Sequence, residues 1–110
     1  MVKWITSHAT YQEFFKPDFQ IRTAHFYVPG LFRAGDAAVG ITISRKNGKA
    51  VKRNKLKRRI KAWFVHHSGQ FPTGIMLNLV AKPGAAELSW PQLCLQLGEL
   101  CSQATGKAAR

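Results

Sequence analysis

The stretch AVGITISRKNGKAVKRNKLKRRIKAWFVHHSGQFPTGIMLNLVAK, Ala38 to Lys82, decides the fold. It opens with AVGITIS, Ala38 to Ser44, rich in β-branched residues and read as a strand. Asn47-Gly48 punctuates the chain. Leu56, Ile60, Trp63 and Phe64 then recur at i, i+4, i+7 and i+8, the spacing of one buried stripe on a helix from Val51 to His67. Gly69 to Gly74, with Pro72, ends that helix in a loop. IMLNLVAK, Ile75 to Lys82, is short and apolar enough for a buried strand. Strand, helix and strand in this order are the parts of a parallel crossover unit, for which a right-handed path is the usual expectation.

Working outward, Thr10 and Glu13 have the spacing of a capping box and open a short helix, Tyr11 to Lys16, which Pro17 stops. Tyr11, Phe14 and Phe15 fall on one side of it. QIRTAHFYV, Gln20 to Val28, reads as one strand, and PGLFRAGD, Pro29 to Asp36, as a loop. Beyond the central unit, PGAAEL is a turn, and Ser89 with Gln92 forms a second capping box. Trp90, Leu93, Cys94, Leu97, Leu100 and Cys101 give the last helix an apolar face. Gly106 is its expected stop, with residues 105–110 as a frayed tail. The order of elements predicts one α+β domain over residues 1–110: a two-layer sandwich with a mixed sheet of about four strands and three helices.

The charge is not spread over this domain. Of 17 Lys and Arg residues, ten lie between Arg45 and Lys61, a block without a single Asp or Glu, and the formal net charge is +12. The five acids are scattered, with none from Ala37 to Ala86, so paired-carboxylate acid–base chemistry has little material. Cys94 and Cys101, seven apart on a helix, are separated by about 10 Å, beyond disulfide reach. They read as reduced thiols, which favours the cytoplasm. His66 and His67 point about 100° apart and His8 and His25 are isolated, so no metal site is expected. No signal peptide and no membrane span is expected.

On the central helix Arg53, Lys57 and Lys61 fall at i, i+4 and i+8, beside the apolar stripe, with Asn54 and Arg58 next to them. Lys52, Lys55 and Arg59 lie on the opposite flank. Cations one turn apart, about 5–6 Å, match the phosphate spacing of an extended strand. A solvated face would mix signs to pair Lys with Glu, and an anionic membrane would need an apolar strip not committed to the core. A polyanion, above all nucleic acid, is the favoured partner. Tyr11 and Phe15 are spaced either as a stacking platform for unpaired bases or as ordinary core.

The run VGITISRKNGKAVKRNKLKRRIKAWF, Val39 to Phe64, resembles the signature of the bacterial ribonuclease P protein component. In that family a strand ends in a Ser-basic-basic turn, here Ser44-Arg45-Lys46. A Gly-x-Ala-Val loop follows, then an Arg-Asn-Arg helix start, a Lys-Arg pair and a basic residue one turn on. LNLVAKPGAAELSWPQL, YQEFFK and HFYV look like the family's remaining strands and helices, so the resemblance covers about residues 9 to 104.

The resemblance implies a ribosomal-protein-like sandwich with a left-handed βαβ crossover. It also implies the protein subunit of a ribonucleoprotein endonuclease that removes the 5′ leader of precursor tRNA. The catalyst would be the RNA subunit with Mg2+. The partners would be that RNA and precursor tRNA, with no catalytic side chain, no membrane and no obligate protein partner. Carried over by position, the RNA contacts are Arg45, Lys46 and Lys49 of the basic turn, Arg53, Asn54 and Lys55 at the helix start, and Lys57, Arg58 and Lys61 beyond. Tyr11 and Phe15, with Lys16 beside them, match the leader cleft. Three positions depart from the pattern: Lys55 replaces the motif's second arginine, only Lys3 is basic before the first helix, and Pro29 stands where some members place an aromatic. The competing readings are a non-catalytic ribosomal or regulatory RNA-binding module, and a protein-only nuclease or DNA binder.

Overall fold

The computed structural model describes residues 2–67, 69 and 71–108. The strands are β1 (Lys3–Trp4), β2 (Phe19–Arg22), β3 (Phe26–Phe32), β4 (Ala38–Ile43) and β5 (Ile75–Ala81); the helices are α1 (His8–Gln12), α2 (Ala50–His67) and α3 (Trp90–Ala108). The strands form one five-stranded mixed sheet in the order β1-β4-β5-β3-β2. β4 and β5 are parallel neighbours, Val39 opposite Leu77 and Ile41 opposite Leu79, joined through α2 as the crossover reading required. The α+β class holds, with one strand more than expected.

The core lies between one face of the sheet and α2 with α3. Leu56, Ile60, Trp63 and Phe64 of α2 are buried, the stripe read from the sequence. They meet Val39, Leu77, Leu79, Val28 and Phe26 of the sheet and Leu93, Leu97 and Leu100 of α3 in one contiguous cluster. The Ser89 box closes as expected: Ser89 N donates to Gln92 Oε1 (2.9 Å) and Gln92 N donates to Ser89 Oγ (3.3 Å). Two backbone donors at the start of α3 are thereby satisfied.

Several expected boundaries are corrected. The segment Gln20 to Val28 is not one strand but parts of two, folded as a hairpin at Thr23–His25. That turn is held from α3: Gln96 Oε1 accepts from Thr23 Oγ1 (3.0 Å) and from His25 N (2.9 Å). Pro29 and Gly30, read as loop, lie inside β3, where Pro29 sits opposite Gln20 and Gly30 opposite both Phe19 and Leu77. The first helix begins after Ser7, not Thr10, and no side chain caps it. Glu13 to Phe15 tighten into a 3-10 turn, so Tyr11, Phe14 and Phe15 do not share a face: Phe14 is buried, whereas Phe15 is 84% exposed. Gly106 lies within α3, which runs on to Ala108. Ala109 and Arg110 of the expected tail lie outside the described residues.

Candidate RNA-binding cleft

The basic block divides between a turn and a helix. Arg45 to Asn47 form a 3-10 turn at the end of β4, and Gly48, at φ 102°, reverses the chain into α2. Only glycine adopts that left-handed value at no cost. Asn47 is the anchor: 4% exposed, its Nδ2 donates to Ala81 O (3.3 Å), and its Oδ1 accepts from Ala86 N (3.4 Å). One buried amide thus locks the basic turn to the end of β5. Arg45, Lys46 and Lys49 stand exposed around it.

The two shoulders of α2 differ. On the flank toward α3, Lys52 Nζ meets Glu87 Oε1 at 2.7 Å, and Arg59 Nη1 donates to Leu88 O at 3.4 Å. These cations serve the fold. On the other flank Arg53, Asn54 and Lys57 join Ile41 and Ile43 of β4 around a hollow of about 200 Å³. A smaller hollow continues it past Lys57 and Lys61 to Trp4, Thr6 and Tyr11. The result is a trough along β4 with a cationic rail. Arg53 Nε donates to Gly48 O (3.1 Å), and Lys61 Nζ sits 5.4 Å from the centre of the Trp4 ring. Lys57 makes no hydrogen bond or ion pair with any described residue. Lys55 and Arg58 are exposed beside the rail.

Tyr11 closes the far end. The β1–β4 ladder ends where Ile5 N donates to Val39 O (2.9 Å). Beyond it the phenol supplies one more rung: Ile41 N donates to Tyr11 Oη (3.2 Å), which donates to Ile5 O (3.1 Å). Its ring occupies the space above Gly40. Tyr11 is therefore structural at its hydroxyl while its ring edges the cleft. Phe15 and Lys16 project from the surface one turn on. The structure brings Tyr11, Asn54, Arg53, Lys57 and Lys61 together; it keeps Lys52 and Arg59 apart from them. Sequence reasoning missed Trp4, because the two-residue strand β1 leaves no periodic signal, and it did not bring Ile41 and Ile43 to the site, because only the fold sets β4 beside the rail.

Another hollow, about 760 Å³, lies elsewhere, between α2 and α3, lined by Trp63, His67, Pro91, Cys94, Leu95 and others. It has neither Lys nor Arg in its walls, and charge rather than volume draws a polyanion. Among the described residues no three His, Cys, Asp or Glu side chains gather into a set able to hold a metal ion, and no helix is long and apolar enough to cross a membrane.

Residues 3–105 match the ribonuclease P family model. The ribonuclease P protein component of Geobacter sp. (strain M21) is 35% identical over 79 residues, 71% of this chain and 67% of the relative. That of Syntrophobacter fumaroxidans is 36% identical over 83 residues, 72% of this chain and 68% of the relative. Among solved structures, the RNase P protein of Staphylococcus aureus superposes with a TM-score of 0.80 at 25% identity, covering 92% of this chain and 94% of that one. The RNase P protein of Thermotoga maritima shares the fold, with a TM-score of 0.82 at 24% identity over 92% of this chain and 96% of that one. The chain therefore belongs to the ribonuclease P family, as the protein component that acts with an RNA subunit to process tRNA precursors.

Proposed function

We propose that the trough along β4 and the adjoining aromatic end of α1 hold the 5′ leader of precursor tRNA, and that the start of α2 with the basic turn contacts the RNA subunit. One observation carries this reading. The rail of Arg53, Lys57 and Lys61 faces the trough with no acidic partner among the described residues, while the opposite shoulder is tied to Glu87 and Leu88. Unpaired cations one turn apart repel each other by a few tenths of a kcal/mol per pair, a cost relieved when phosphates lie between them. Phe15 offers an exposed ring to an unpaired base, and Lys16 a charge beside it. Arg45, Lys46, Lys49, Lys55 and Arg58 form the surface turned to the RNA subunit, and Asn54, in the wall of the trough, stands between the two RNAs. Lys55, in place of the motif's arginine, keeps the charge without the planar fork.

The protein contributes position and neutralisation, not a reacting group. We assign magnesium mainly to the RNA; among the protein's described residues no three His, Cys, Asp or Glu side chains gather into a set that would hold it. We place the protein in the cytoplasm, where its two free cysteines stay reduced. Reconstitution tests the whole. The protein alone should cleave nothing, and adding it to a bacterial ribonuclease P RNA should lower the magnesium needed to process precursor tRNA. Absence of that stimulation would sink the proposal.

A further inference from the structure

The hollow between α2 and α3 shares no residue with the trough, and its walls differ in kind. At about 760 Å³ it has the size of a small-molecule site. The chain carries a net charge of +12, yet no Lys, Arg, Asp or Glu lines this hollow. Desolvation by burial pushes the Cys101 thiol in its wall from 9.0 up to about 12, so the sulfur stays uncharged as well. A phosphate or carboxylate would find no cation here, and the rail on the other flank of α2 would draw it away. The α3 side is open: a Cβ added at Gly98, an exposed position of that helix, would meet nothing within 4 Å.

Trp63 and His67 add the observation that points to a ligand. Trp63 is 5% exposed and forms part of the wall. A buried indole N–H usually donates to a neighbouring group, but Nε1 of Trp63 has no partner among the described residues. None of their fully buried side-chain nitrogens or oxygens is left unpaired, so this N–H keeps an opening, and the hollow is the open space that Trp63 borders. The His67 ring stacks on the indole, with centroids 4.1 Å apart and planes 13° from parallel. Its Nδ1 lies 2.8 Å from Trp63 O. A carbonyl only accepts, so Nδ1 carries the proton and donates, which leaves Nε2 of the neutral ring as an acceptor. Nε2 has no partner among the described residues either. The wall thus offers one donor and one acceptor on two stacked rings. Thr105, by contrast, spends its hydroxyl proton inside α3, on Cys101 O at 2.9 Å.

We propose that this hollow binds a small, uncharged, planar lactam: a fused aromatic ring system with adjacent C=O and N–H groups. The carbonyl accepts from Trp63 Nε1, the ring N–H donates to His67 Nε2, and the apolar body of the ligand lies against Leu95 and the cysteine sulfurs. Each part of this class follows from the walls. The absence of charged side chains selects a neutral molecule, because a buried ion without a partner is costly. The stacked rings select a flat one. The orphan donor and acceptor select a group that carries both complements, since either one covered by an apolar surface would lose its hydrogen bond to water. The site does not depend on where the leader binds.

The test adds carbostyril, a benzo-fused lactam, to the isotope-labelled full chain and follows the indole N–H signals by NMR. The chain has three tryptophans, and Trp4, which borders the trough, serves as the internal control. The Trp63 signal should move and saturate with a Kd of about 1 mM or tighter, while the Trp4 signal stays in place. N-methylcarbostyril keeps the shape and loses the donor, so it should bind at least about fivefold more weakly. His67→Phe keeps a ring and loses the acceptor, and should erase the difference between the two compounds. Gly98→Phe fills the hollow from an exposed helical position and should abolish the Trp63 shift; Ser102→Phe blocks it from the same helix. Thermal melts check that each variant folds. No saturable Trp63 shift at about 5 mM carbostyril would overturn the proposal. So would equal movement of Trp4, equal affinity for the two compounds, or unchanged binding in both filled variants. A dimer in sedimentation that Gly98→Phe disperses would give the hollow to a second copy of the chain and overturn it too.

Discussion

Gly40→Ala is a small substitution with a large expected effect. A Cβ at residue 40 would lie 2.6 Å from Tyr11 Cε1 and 2.9 Å from both Cζ and Oη. Real contacts are never that close, so something must move. The ring is not a free end: its hydroxyl is held by Ile5 O at 3.1 Å and Ile41 N at 3.2 Å. Nor can β4 retreat, because it is paired to β1 on one side and β5 on the other. Relief comes from expelling the phenol. Each lost hydrogen bond costs about 1 kcal/mol, and residual overpacking about 1–3 kcal/mol. The lower unfolded-state entropy of alanine returns about 0.4–1 kcal/mol. The balance is a loss of about 2–4 kcal/mol, a fall in Tm of roughly 10 °C for a domain of this size. Calorimetry on Gly40→Ala, Tyr11→Ala and the double variant measures it. In the Tyr11→Ala background the Gly40 substitution should cost nothing, a coupling of about 2–4 kcal/mol. Additive losses, or a Gly40→Ala protein that melts like the wild type, would refute the reasoning that the ring and the strand exclude each other.

The other expectations test the two shoulders, the aromatics and the thiols. Lys57→Ala should weaken leader binding and reduce the salt slope by about 0.7, whereas Lys52→Ala, which loses only the exposed Glu87 pair, should leave leader affinity unchanged. Equal effects would mean that the rail is not special. Phe15→Leu should leave thermal stability intact and cost at least about fivefold in leader affinity, while Phe14→Ala should cost about 3–5 kcal/mol of stability. Desolvation by burial pushes the Cys101 thiol from 9.0 up to about 12. Unfolded chains therefore release this proton first as pH rises, so the thiol's contribution is whole below about pH 9 and is lost between there and about pH 12. Denaturant melts across that range should show the loss, and Cys101→Ala should flatten it.

The sequence disclosed what periodicity and local chemistry encode. The stripe Leu56, Ile60, Trp63 and Phe64 defined α2 within a residue, and the Ser89–Gln92 box marked the start of α3 because both of its bonds are local. The central cations were legible for the same reason: a helix turns their spacing into a rail. What escaped depends on distant partners. The Thr23–His25 turn has no glycine, proline or asparagine to mark it; it is imposed by Gln96, more than 70 residues away. Pro29 and Gly30 spell a loop locally, yet they are drawn into β3 between two neighbouring strands. β1 is too short to announce itself. The unequal shoulders of α2 could not be read either, because Glu87 and Leu88 reach Lys52 and Arg59 only through the fold.

The position of β5 bears on how the protein is made. β3 and β4 never pair with one another; each pairs with β5, which lies between them and comes much later in the chain. A ribosome that has released α2 has therefore delivered the whole cationic rail before the strand that completes the sheet. Until Ile75–Ala81 emerges, two apolar strands wait with open edges, the state in which nascent chains most readily associate with one another. The ten like charges between Arg45 and Lys61 would hold such chains apart during that interval. The basic block proposed to meet RNA would thus have a second effect, keeping nascent copies of its own chain apart until β5 arrives.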